Sequence, residues 1–213
     1  MSLQSLYVKK RILLMETILL VLVPLFLSTR YPTVMMLRHV LMVFGITYFY
    51  VMGRSFGITA KSLGLTRNNL RASMREVVTP TMIGAAIALA IGVYRADILT
   101  LRGMDDGGLW GPSAVRLILY VLLSVPLQEL AFRGFVINRL SWVSRNSAFM
   151  VIYSSLIFGL IHLMFANWWI AVATFIVSIW WSSFFMKYKN VWPVIVSHGV
   201  LGCIVLLVTF GVL

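Results

Sequence analysis

The chain has 213 residues, of which 61% are hydrophobic and only 11% are charged, and its mean hydropathy is +0.95. Soluble domains are about half apolar and a quarter charged, so this composition excludes one and predicts a single integral-membrane domain over residues 1–213. The net charge is +12. We recognise no basic soluble domain in the sequence that would hold nucleic acid, so we expect the positive side chains to face anionic membrane lipid instead.

Seven apolar runs of roughly 17–25 residues are long enough to cross a bilayer as helices. We expect these spans at approximately residues 12–27, 34–52, 77–94, 113–137, 147–165, 168–186 and 192–213. The fifth and sixth runs are separated only by a few residues around Asn167, which predicts a tight turn there. The sequence therefore predicts an all-α fold, a polytopic transmembrane helix bundle, with its motif-bearing core at residues 113–213.

The longest polar connection covers residues 53–76 and is basic. Arginine recurs every four positions within it, at Arg67, Arg71 and Arg75. Apolar residues fill another face of the same helical pattern, which predicts a basic amphipathic helix on the inner leaflet. A second connection contains Asp105-Asp106-Gly107-Gly108, which we interpret as a solvated turn rather than a cation site, because no set of ligands surrounds it.

The distribution of lysine and arginine predicts the orientation. With a cytoplasmic N-terminus, twelve of these residues fall in inside segments and four fall outside or at the outer borders. Cytoplasmic loops carry an excess of positive charge. We therefore expect an integral protein of the bacterial cytoplasmic membrane with its N-terminus in the cytoplasm.

The fourth predicted span contains an acid and a base, Glu129 and Arg133. Residues four apart share one face of a helix, so the two side chains can pair. Each charge costs roughly 2.5–3.5 kcal/mol at the centre of a bilayer on insertion scales. Two interpretations remain open: a structural ion pair between helices, or part of a functional site.

Two of the three histidines, His162 and His198, lie in the fifth and seventh spans. Ionisable residues within spans tend to face the bundle interior and each other, so we expect both imidazoles to converge with Glu129 on one pocket open to the cytoplasm. Two histidines and a glutamate are also a familiar zinc set. No H-E-x-x-H motif is present, and we expect no metal or other cofactor; if a metal is present, Glu129, His162 and His198 are its predicted ligands.

Three short patterns carry a family resemblance. They are Gln128-Glu129-x-x-x-Arg133, Phe158-x-x-x-His162 and His198-x-x-x-Gly202. Their order over residues 117–202 resembles that of the CAAX-processing and bacteriocin-processing intramembrane proteases, also called the Abi or CPBP family. The family's own patterns are EExxxR, FxxxH and HxxxN.

The resemblance implies an intramembrane endopeptidase whose catalytic residues are Glu129, His162, His198, Arg133 and Gln128. By position, Glu129 and His162 would activate a water, His198 would stabilise the oxyanion, and Arg133 would orient the carboxylate. The chain departs from the family at two of these positions. Gln128 replaces the first glutamate, and an amide is no general base; Gly202 replaces the asparagine and offers no side-chain donor.

These features leave several functions open. The leading prediction is hydrolysis of a membrane-proximal bond in a peptide or membrane-anchored protein. The alternative is a catalytically silent relative that binds a membrane partner, as a regulator or an immunity protein does, and the two departures favour it. A zinc protease is a third interpretation. A transporter or proton relay is a fourth, which the missing repeat symmetry disfavours. The sequence leaves the oligomeric state open.

Overall fold

A computed structural model describes residues 9–31, 38–101 and 113–212 of the chain. The described residues form helices and connecting turns, with no strand among them, so the predicted all-α class is confirmed. We number the helices in chain order: α1 Lys10–Arg30, α2 Arg38–Ser55, α3 Leu70–Tyr94, α4 Ala96–Leu99, α5 Ala114–Ser141, α6 Ser147–Ile161, α7 Trp168–Tyr188 and α8 Trp192–Thr209. The Asp105-Asp106 turn lies outside the described residues.

Six of the described helices are long and apolar enough to cross a membrane: α1, α3, α5, α6 with the short 3₁₀ turn His162–Phe165, α7 and α8. Helix α2 lies where the second span was predicted but is not among the six. It begins and ends near charged residues, Arg38 and Arg54, which lower its apolar content. The expected count of about seven spans agrees roughly with this architecture.

The basic segment before the third span differs from its prediction. Arg71 and Arg75 lie in the first turns of α3, which continues through Pro80 to Tyr94 without a break. The segment is therefore the polar end of a spanning helix rather than a separate interfacial one. The helix continues past Arg75 although Val77, Thr79 and Pro80 have low helix propensity, because a segment that crosses a bilayer must keep its backbone groups hydrogen-bonded.

Helices α6 and α7 form a closely packed hairpin. The predicted tight turn is present: the Asn167 side chain accepts a hydrogen bond from Trp169 N at 3.0 Å and so caps α7. At the contact between the helices, a Cβ on Gly159 would lie 2.8 Å from Phe175 Cβ and 3.0 Å from the Ala171 carbonyl oxygen. A glycine is needed there because small residues let membrane helices approach closely. The hairpin fixes the depth of His162, which directly follows α6.

Helix α5, which carries the central motif, is not a regular α-helix. Two π-helical stretches, Tyr120–Ser124 and Leu130–Val136, flank the α-helical turn Val125–Glu129 that contains Pro126. Proline removes one backbone hydrogen bond and clashes with the preceding turn, and wider turns accommodate this defect. The irregularity around Pro126 thus takes the form of π-helical turns, which occur frequently at functional sites.

Candidate active site

The Glu129 carboxylate is the centre of the buried polar cluster. Arg133 Nη1 donates to Glu129 Oε1 at 3.1 Å, which confirms the pairing predicted from their spacing. Arg133 Nη2 donates to Ser178 Oγ of α7 at 2.7 Å. Both charged side chains are fully buried. A buried ion pair needs further hydrogen bonds to offset its desolvation, and Ser178 supplies one of them.

His198 joins the same carboxylate from α8. Its Nδ1 lies 2.6 Å from Glu129 Oε1, so two donors converge on one oxygen. An ionised carboxylate only accepts hydrogen bonds, so the proton lies on His198 Nδ1. The imidazole stacks on the Trp181 indole with centroids 4.7 Å apart. The indole Nε1 donates in turn to Ser197 Oγ at 2.9 Å, and this hydrogen bond fixes the orientation of the ring on which His198 stacks.

His162 is placed beside this cluster by the phenyl ring of Phe158. The Phe158 ring lies 4.7 Å from the His162 ring and 5.7 Å from the His198 ring, measured between centroids. The Arg133 guanidinium lies 4.6 Å above the same phenyl ring, within the range of a cation–π contact. His162 Nδ1 lies 2.7 Å from the Phe158 carbonyl oxygen, which only accepts. The proton is therefore on Nδ1, and Nε2 is left as an acceptor.

The second carboxylate oxygen is without a protein partner. Glu129 Oε2 is buried and accepts no hydrogen bond from the described residues. A buried polar atom in this state is uncommon, and it costs free energy unless a water or a substrate group meets it. The carboxylate is thus held rigidly by one oxygen and presents the other to a potential ligand.

The cluster is closed to the surface more tightly than the sequence suggested. Glu129 and Arg133 have no exposed surface and His198 is 5% exposed, whereas His162 is half-buried. The pocket around Glu129, which was predicted to open to the cytoplasm, is therefore closed in this conformation. Aromatic rings from three helices, Phe158, Trp181 and Tyr120, pack around the polar groups and account for this burial.

Gln128 does not join the cluster. Its side-chain amide donates to Ser124 Oγ, one turn earlier in α5, at 2.8 Å. Adjacent helical residues point about 100° apart, so the helix directs Gln128 away when Glu129 faces the imidazoles. The described structure therefore brings together Glu129, Arg133 and His198 by hydrogen bonds, adds His162 through Phe158, and leaves Gln128 outside.

A second buried ion pair was missed by the sequence reasoning. Arg139 Nη2 lies 2.7 Å from Glu16 Oε2, and Tyr48 donates to the other oxygen of Glu16. Arg139 is 3% exposed. An acid within the first predicted span was the available signal, since such residues seldom face lipid. This pair joins α1, α2 and α5.

No group of three or more histidine, cysteine, aspartate or glutamate side chains among the described residues is arranged to hold a metal ion. Glu129 Oε1 and His198 Nδ1 are bonded to each other. The geometry offers no direct support to the zinc interpretation, which metal analysis can test.

Comparison with known proteins agrees with this architecture. A family model described as "Rce1-like: Type II CAAX prenyl endopeptidase Rce1-like" matches residues 110–204. Residues 110–204 are similar to this family model, and we refer to them as the Rce1-like core. This confirms the family resemblance of the three motifs, all of which fall inside the match. No curated protein and no solved structure matches the chain.

The Rce1-like core runs through α5, α6 and α7 and into α8. It contains the complete polar cluster, from Glu129 to His198, whereas α1, α2 and α3 lie before it. The chain is thus a membrane protein whose residues 110–204 are similar to a CAAX-protease family model, and the buried cluster lies within these residues.

Proposed function

We propose that this chain is an intramembrane endopeptidase of the CAAX/bacteriocin-processing type, which hydrolyses a membrane-proximal bond of a peptide or membrane-anchored protein. One observation carries the proposal. A fully buried carboxylate, Glu129, is held through Oε1 by Arg133 and His198, and its Oε2 accepts no hydrogen bond from the described part of the chain. A rigid carboxylate with one available oxygen suits general-base activation of water.

In this mechanism Glu129 Oε2 or His162 Nε2 accepts a proton as the water oxygen adds to the scissile carbonyl carbon. His162 suits this task because its Nδ1–H is bonded to the Phe158 carbonyl and its Nε2 is an acceptor. The accepted proton then passes to the amide nitrogen as the C–N bond breaks, which leaves a carboxylic acid and an amine.

His198 has a different role in the proposal. Its Nδ1–H is bound by Glu129, and a protonated Nε2 would donate to the carbonyl oxygen as negative charge develops there. Donors aimed at developing charge contribute strongly to acyl transfer in a site that excludes water. Arg133 orients Glu129 and balances its charge.

The test uses the full chain purified and reconstituted into lipid vesicles. Internally quenched peptides serve as probes: a prenylated CAAX peptide, the same peptide without its prenyl group, and a bacteriocin-type leader peptide. We expect cleavage of at least one probe by the wild type and a loss of about 10²–10⁴-fold in kcat for Glu129→Gln and for His162→Ala. His39→Ala, which changes the one histidine outside the motifs, is the matched control. Wild-type rates in both motif variants would overturn the proposal.

A catalytically silent relative is the second candidate. The observation in its favour is the side chain of Gln128, which bonds to Ser124 and supplies neither a carboxylate nor a contact to the imidazoles. Such a protein would bind a membrane partner as a regulator or an immunity protein. Full biological activity of the double variant His162→Ala/His198→Ala in cells would support this function, and loss of activity would exclude it.

A further inference from the structure

Tyr120 is a polar side chain that contacts the cluster and has no task in the mechanism above. It lies on α5, in the π-helical stretch that precedes Pro126. Its ring packs edge-on against the His198 imidazole with centroids 6.0 Å apart. Its hydroxyl makes no hydrogen bond to the described residues. Tyr120 is half-buried, so its hydroxyl is available to a ligand that enters the site.

Gly202 makes room for this hydroxyl. A Cβ on Gly202 would overlap the Tyr120 hydroxyl oxygen and would meet Tyr120 Cζ at 2.5 Å. Gly202 follows His198 by four residues in α8, so both lie on one face of the helix at successive turns. The tyrosine hydroxyl therefore occupies the volume that a side chain at position 202 would fill, directly beside the imidazole.

We propose that the Tyr120 hydroxyl is a catalytic hydrogen-bond donor, which binds the scissile carbonyl oxygen together with His198 and supplies the donor that Gly202 lacks. This inference rests on the proposed function. Its chemistry follows from the phenol group, which is neutral near pH 7 and can donate one hydrogen bond. The donor does not form or break a covalent bond; it stabilises the oxyanion of the tetrahedral intermediate.

The position of Tyr120 also follows from the irregular helix. The π-helical turn Tyr120–Ser124 places Tyr120 nine residues before Glu129 on the same helix. Helix α5 thus carries both groups. Its turn Val125–Glu129 holds the carboxylate, and its earlier turn Tyr120–Ser124 places the tyrosine ring against His198, which bonds to that carboxylate. One helix then holds groups on both the base side and the oxyanion side of the proposed reaction.

The principal test is Tyr120→Phe in the reconstituted full chain, with the quenched peptides as probes. This change keeps the ring that packs on His198 and removes only the hydroxyl. We expect kcat to fall by about 10²–10³-fold, as for loss of one oxyanion donor, with KM and Tm unchanged. A transition-state interaction lowers kcat in this way, whereas a purely structural role would move Tm. Tyr94→Phe, at a tyrosine that is 83% exposed, is the matched control.

A donor exchange provides the second variant. Tyr120→Ala vacates the volume beside Gly202, and Gly202→Asn then has room for an amide donor. We expect the double variant to recover about tenfold or more of the kcat lost in Tyr120→Ala, since one donor is commonly worth at least that much. Gly202→Asn alone should be poorly active, because its side chain overlaps Tyr120.

The outcomes separate the two proposals. Wild-type kcat in Tyr120→Phe, together with loss of activity in Glu129→Gln, would overturn the role of Tyr120 and leave the peptidase intact. A lower Tm at unchanged kcat would overturn it as well, since the tyrosine would then be structural. Absence of cleavage of every probe by the wild type would overturn the proposed function and the Tyr120 donor with it.

Discussion

His198 Nδ1 lies 2.6 Å from Glu129 Oε1, although the two residues are 69 positions apart in the chain. This bond ties α8 to α5 and leaves His198 Nε2 as the ring atom that can meet a substrate. The carboxylate is therefore shared between a helical neighbour, Arg133, and a distant imidazole. This arrangement makes the contribution of each partner separable by mutation.

We expect His198→Asn and His198→Ala to have different effects on stability and similar effects on catalysis. An asparagine amide can replace the Nδ1 donor to Glu129 but offers nothing in place of Nε2. If Nε2 acts on the substrate, kcat falls in both variants by about 10²-fold or more, while Tm falls mainly in His198→Ala. Full activity of His198→Asn would contradict a role for Nε2. Peptide cleavage and thermal unfolding in detergent measure the two effects.

Arg133→Met should destabilise the protein strongly. It removes one partner of a fully buried ion pair and leaves the Glu129 carboxylate uncompensated, which typically costs about 3–5 kcal/mol. The double variant Glu129→Gln/Arg133→Met should recover part of this loss, because no buried charge remains on the pair. Unfolding in detergent measures the free energy.

Lys187→Met is the control for the Arg133 prediction. Lys187 Nζ pairs with Glu76 Oε1 at 2.7 Å, but both side chains are about half exposed. Exposed ion pairs contribute little to stability, so we expect no measurable change in Tm. An equal loss in both variants would show that the burial of the Glu129–Arg133 pair has no special energetic weight.

Gly159→Ala should weaken the α6–α7 hairpin. The added Cβ would lie 2.8 Å from Phe175 Cβ, and such overpacking typically costs about 1–3 kcal/mol. Gly199→Ala is the matched control in another spanning helix, because its Cβ would meet nothing within 4 Å. There we expect a gain of roughly 0.5–1 kcal/mol from the lost backbone freedom of glycine. Changes of the same sign in both variants would contradict the packing assigned to Gly159.

Metal removal should leave peptide cleavage unchanged. The proposed chemistry uses Glu129 and two imidazoles without a Lewis acid, and Glu129 Oε1 is already bonded to His198. We expect zinc well below one per chain in the purified protein and equal rates before and after treatment with a chelator. Stoichiometric zinc, or loss of activity that added zinc restores, would establish the zinc protease instead.

The orientation can be tested with reporter fusions. The positive-inside rule predicts a cytoplasmic N-terminus, because twelve lysines and arginines would then lie inside and four outside or at the outer borders. We expect a fusion at the N-terminus to be active only with a cytoplasmic reporter. Activity of a reporter that requires the opposite side would reverse the orientation and, with it, the side from which substrate reaches the site.

The sequence predicted local features well. The apolar runs predicted the spanning helices, because only hydrogen-bonded helices or closed barrels cross a bilayer. The spacing of Glu129 and Arg133 gave their pairing because residues four apart share a helical face. The residues around Asn167 predicted the turn before α7, and the Asn167 side chain caps that helix. The prediction of a separate helix in the basic segment before α3 was wrong, because amphipathic spacing alone does not show where a helix ends.

By itself the sequence determined the membrane class, the helical fold and the family resemblance of residues 110–204, since all three depend on composition and on short patterns within single helices. Only the tertiary structure decided which imidazole bonds to Glu129. It also decided that Glu16 pairs with Arg139, although the two residues are 123 positions apart in the chain, and that Tyr120 fills the space beside Gly202. Those contacts depend on how separate helices pack. No periodicity within one helix specifies which residue of a distant helix will lie opposite.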